Sequence, residues 1–175
     1  MNTQLPTPSF WATIDEARSR TQRPAASADT SALRTVLEAH PTEDVVRFVQ
    51  SFDGGLAALN SWEVWGAGHT ACHGMSDDGF AYFRCWILGL GERAFETART
   101  NPDDLGPFFG PNEFPENELL WYVGSQVLEQ RGIDFDGIPR EEGVVPEGEP
   151  KGRDWDPDDL PERYPRLSAQ FGGMH

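Results

Sequence analysis

Cysteine is scarce: Cys72 and Cys85 are the only two in a chain of 175 residues. Two thiols do not make a disulfide framework, so the fold must rest on a packed core. In a reducing compartment both are expected as free thiols. Basic residues are also short, 14 against 29 acidic ones, for a formal charge of -15. A surface of that sign repels phosphate backbones and anionic lipid. Lys and Arg form no cluster, so neither nucleic acid nor membrane is expected as a partner. Long apolar runs are missing, and nothing approaches the roughly 20 residues that span a bilayer. The start, Met1 to Pro6, has neither a basic patch nor an apolar signal region, so a cytoplasmic location is expected. Strict apolar-polar alternation, the mark of a half-buried strand, is absent as well.

What remains is helical periodicity. The expected fold is mainly α: a single compact domain of about six or seven helices, over 9–131. An extended Pro-, Gly- and Glu-rich strap, 132–175, follows and docks on it through Trp155, Leu160, Tyr164, Leu167 and Phe171. Phe10, Trp11, Ile14 and Ala17 keep a helical period, with Ser9 as cap. Thr30 or Ser31 opens a helix carrying Leu33, Val36 and Leu37, which His40-Pro41 breaks. Thr42 caps a longer helix through Val45, Val49, Phe52, Leu56 and Leu59, with Gly54-Gly55 as a point of bending or breakage. Asn101-Pro102-Asp103-Asp104 is a helix-start signal, and Asp156-Pro157-Asp158-Asp159 repeats it. Phe108 to Pro115 reads as an ordered loop on the core. Pro115 and Glu116 open the last long helix, with Leu119, Leu120, Val123, Val127 and Leu128 on its apolar stripe.

The stretch from Trp62 to Gly91 is the densest. Trp62, Trp65, His69, Cys72 and His73 share one helical face, which Gly74 closes. Met75-Ser76 makes an elbow, and a second helix runs over 77–89 with Ser76 as cap and Asp77 and Asp78 in its first turn. Phe80, Phe83, Ile87 and Leu90 form its buried stripe.

Three pieces together carry a resemblance: Phe10-Trp11, the run from Ser76 to Gly91, and Asn117-Glu118 before Tyr122-Val123, with Asp154-Trp155-Asp156 and Leu160 to Leu167 in the tail. On them the chain resembles a bacterial family called domain of unknown function 4240, over roughly 9–131. That family approaches the Ser-Asp-Asp elbow through a Gly-Gly-Cys-like sequence, where this chain has His73-Gly74-Met75. The difference speaks against a family-wide role for Cys72 or His73.

Asp77, Asp78 and Arg84 can be read as a polar site at the elbow, for acid-base work or a cation, or as an acidic helix start with a paired arginine. His69, Cys72 and His73 stand at metal-ligand spacing, but no second segment supplies a partner motif, so no metal is expected. No cofactor motif is present. Trp62, Trp65 and Trp86 can line a groove or belong to the core, with Trp62 and Trp86 expected half-exposed. The favoured reading is a protein-interaction or small regulatory module that contacts a protein partner through Trp62, Trp65, Ser76, Asp77, Asp78, Arg84 and Trp86. The alternative is an enzyme or metal-binding protein centred on the Ser76-Asp77-Asp78 elbow.

Overall fold

Helices start in this chain where a side chain can satisfy free amides. In α1 (Pro8–Ser19) that is Thr7, whose hydroxyl accepts from the Phe10 amide, rather than Ser9. In α2 (Thr30–Glu38) it is Asp29, one residue before the expected Thr30, accepting from Ser31 and Ala32. The computed structural model describes residues 5–21, 26–110, 114–134, 137–138, 146 and 148–172. After α2 come α3 (Thr42–Leu59), α4 (Trp62–Cys72), α5 (Asp77–Gly89) and α6 (Glu92–Thr100). A 3-10 segment (Pro102–Phe108) then leads to α7 (Glu118–Gln130), and the tail adds α8 (Leu160–Arg163) and α9 (Pro165–Phe171). Among the described residues there is no strand, and no helix is long and apolar enough to cross a membrane. Thr42 does not cap α3. Its hydroxyl accepts from Arg131, which also donates to the carbonyls of Leu37, Glu38 and His40 and so closes the C-terminal end of α2.

The centre of the molecule is α5. Its sequence shows one apolar stripe, but burial runs nearly all the way round: Phe83, Arg84, Cys85, Trp86, Ile87 and Leu88 are all covered. A helix buried on every side needs neighbours that come close. Gly54-Gly55 provides one approach instead of a break. Helix α3 stays continuous, and a Cβ at Gly55 would fall 2.7 Å from the Leu88 side chain. Gly124 does the same between α7 and α3, where a Cβ would lie 2.6 Å from Val49. Phe10, Phe48 and Phe52 then fill the space between α1 and α3 with stacked and edge-on rings.

The tail lies along α4. Backbone pairing joins Trp62 to Lys151 and Lys151 to Asn60, and the Asn60 side chain donates to Gly148 O at 2.7 Å. Leu160, Tyr164 and Leu167 pack on Ala67 and Ala71 as a second apolar cluster. The buried Asp103 carboxylate accepts from the amides of Arg166 and Leu167, so a residue of the 3-10 segment caps α9 across space.

Candidate functional site

The elbow forms as its residues dictate. Ser76 Oγ accepts from the Gly79 amide at 3.1 Å, and Asp77 and Asp78 stand exposed in the first turn of α5. The turn into it differs by one residue: His73, with φ of 57°, takes the left-handed position that closes α4, ahead of Gly74. Trp65 Nε1 donates to the Met75 carbonyl at 3.1 Å, and the Met75 amide donates to His69 Nδ1 at 3.2 Å. Both bonds fold the elbow back onto α4.

Arg84 is not at this elbow. It is 3% exposed, and its guanidinium donates to Leu56 O at 3.0 Å and Pro146 O at 2.7 Å while covering the Phe80 ring. It therefore ties α3 and the segment after α7 to α5, and leaves Asp77 and Asp78 in solvent. Of the two readings of Asp77, Asp78 and Arg84, the geometry matches the acidic helix start with an arginine bound to neighbouring elements.

The tryptophans divide. Trp62, Trp65 and Phe80 stack in parallel, with centroids 5.1 Å and 4.9 Å apart. The tail's Trp155 stands edge-on to Trp62 and Trp65, and its Nε1 donates to Trp62 O at 3.0 Å. Tyr164 adds a bond to Glu63 O. The chain's own tail thus packs against this face and leaves Trp62 and Trp65 half-buried. Trp86, expected half-exposed, is 1% exposed and packs against Phe83 and Phe109.

His69, Cys72 and His73 do not make a ligand set. His69 Nδ1 is occupied as an acceptor, and its ring lies against Trp155. Among the described residues no three His, Cys, Asp or Glu side chains stand together to hold an ion. Burial, with a smaller push from Glu116, raises the Cys72 thiol to about 11, and burial drives Cys85 to about 12. Both stay protonated at neutral pH and make poor nucleophiles. Iodoacetamide at about pH 8 should therefore label the native protein at least about tenfold more slowly than the urea-unfolded chain. Equal rates, read by mass spectrometry, would show Cys72 to be an accessible thiolate.

Two concavities bear on this region. A groove of about 870 Å³ runs between the residues leading into α2 and those leading into α7; its lining includes Ser27, Asp29, Ser31, Trp86, Glu116 and Leu119. A pocket of about 220 Å³ adjoins the elbow at Cys72, Met75 and Ser76. Phe114 and Glu116 line both, so the segment 114–117 is the ridge between them. Asn117 anchors that ridge. Its Nδ2 donates to Ala28 O and Ser27 Oγ, and its amide donates to Tyr82 O. Four large apolar side chains are exposed among the described residues, and three of them, Phe114 (69%), Leu119 (63%) and Tyr122 (41%), fall within nine residues of sequence.

These residues were misplaced or missed in sequence. The helical period places Leu119 on the core stripe and Phe114 in a loop packed on the core, whereas both are exposed. Sequence offers little signal here, since neighbours about 100° apart can both be buried, as Val127 and Leu128 are in the same helix, and nothing in Leu119-Leu120 says which one faces in. Leu120, Val123 and Val127 hold the buried period.

No curated protein and no solved structure matches the chain. A family model described as Protein of unknown function (DUF4240) matches residues 5–130. That span contains α1 to α7, the elbow and the ridge between the two concavities. The chain belongs to the DUF4240 family.

Proposed function

We propose that the protein is an interaction module that binds a segment of another protein across the face from Phe114 to Tyr122. One observation carries the reading: the exposed Phe114 and Leu119 both line the larger groove, with Tyr122 exposed one turn further along α7. Scattered exposed apolar residues are ordinary, whereas a contiguous patch next to a concavity is the usual mark of a docking face. Arg84 lends no support to acid-base chemistry at the elbow, since its guanidinium bonds to Leu56 O and Pro146 O. Helix α7 presents Leu119 and Tyr122 one turn apart, and the ridge places Phe114 before them.

A random-peptide display library selected on the immobilised full chain tests this. Enriched peptides should lose about tenfold or more in affinity for Leu119→Asp, a site so exposed that the fold should not suffer. Peptides that bind Leu119→Asp as well as the parent, or a library that yields no enrichment, would refute the reading.

A further inference from the structure

The docking face carries charge of one sign along its ridge. Glu116 and Glu118 stand there, and the Tyr82 hydroxyl donates to Glu118 with Asp78 and Tyr122 nearby. Among the described residues no Lys, Arg or His pairs with either glutamate. Among the described residues, Arg20, on the groove wall, pairs with Glu16 at 2.6 Å, and Arg34 donates to Gln126. Glu116 is held up from the usual carboxylate range, first by desolvation and then by Glu118. Its carboxylate also leans over the start of α5, where a Cβ on Gly79 would come within 3.3 Å of Oε1. Apolar anchors and two carboxylates with no cationic partner among the described residues thus share one surface.

That combination selects the occupant. An acidic or neutral segment would leave both glutamates without a counter-charge and partly desolvated, which costs affinity. A second copy of the chain would bring the same carboxylates and another formal charge of -15, so self-association meets repulsion. We propose that the partner segment presents an aliphatic or aromatic anchor with lysine or arginine beside it: the anchor packs among Phe114, Leu119 and Tyr122, and the cation lies beside Glu116 and Glu118. This rests on reading the face as protein-binding, and it adds the charge that gives specificity.

The probe is the set of display-selected peptides, measured by fluorescence anisotropy against the full chain and the double variant Glu116→Gln/Glu118→Gln. The substitutions keep shape and remove charge, and an unchanged urea midpoint confirms the fold. The expected result is that enriched peptides carry Lys or Arg within a few residues of the anchor. Their affinity should fall about tenfold in the double variant, and also between about 50 and about 500 mM salt. Peptides that need Leu119 but lack a basic residue, or that bind the double variant equally well, would overturn the charge assignment while the apolar face stands. Binding that ignores Leu119 would instead remove the docking face, and this inference with it. Sedimentation that shows a Leu119-dependent dimer would also overturn it, by making the occupant a second copy.

Discussion

Replacing Trp86 by alanine is expected to lower the unfolding free energy by about 3–5 kcal/mol. The indole is 1% exposed, and its ring lies 5.6 Å from Phe83 and 5.1 Å from Phe109. Its removal opens a cavity in the helix against which α3, α4, α6 and α7 pack. Collapse is resisted because α3 already meets α5 at Gly55, where Leu88 leaves no slack. Single domains are stable by about 5–15 kcal/mol, so the loss would consume a large share of the total. Urea unfolding followed by circular dichroism measures it. A loss below about 1 kcal/mol would mean that the centre of the molecule is not α5.

Arg84→Met should cost about 2–4 kcal/mol, despite matching much of the volume. The side chain donates to two carbonyls, one in α3 and one at Pro146, and both would lose a charged donor. Buried acceptors left without a donor cost the full desolvation penalty, which the methionine cannot repay. Arg84→Lys should recover less than half of the loss, because one ammonium cannot reproduce the planar fork over Phe80. The same urea experiment decides. If Arg84→Met were as stable as the parent while peptide binding vanished, Arg84 would belong to a functional site after all.

The contrast between Arg84 and its neighbours shows where sequence reading stops. The span of α5, residues 77–89, was legible because Ser76 supplies a cap and two aspartates favour the positive end of the helix. The placement of Arg84 was not. Helical period puts residue 84 on the same side as residue 77, but periodicity reports direction around the axis and says nothing of depth along it. Asp77 lies at the protruding end, whereas two turns later the same side passes beneath α3 and the segment at Pro146. Trp62 and Trp65 show a related limit: Trp62 is half-exposed, as expected, and Trp65 packs against the core. Their spacing marks a shared face truly enough, yet what packs against that face is Trp155, 93 residues from Trp62 in sequence. The ridge was hidden in another way. Phe114 and Leu119 are apolar in composition and look like core material, and only the packing of Leu120 and Val123 shows which side of α7 is inside.

The long separation between the tail and its dock also orders events in time. Contacts such as Trp155 to Trp62 and Tyr164 to Glu63 span 93 and 101 residues. Closing loops of that size carries an entropic cost that local helix pairs do not meet. During synthesis the helices α1 to α7 leave the ribosome first and can pack while the tail is still untranslated. For that interval the parallel stack of Trp62 and Trp65 faces water with nothing over it. The nascent chain therefore exposes more of this aromatic surface than the folded protein, in which Trp155 packs against it and leaves it half-buried.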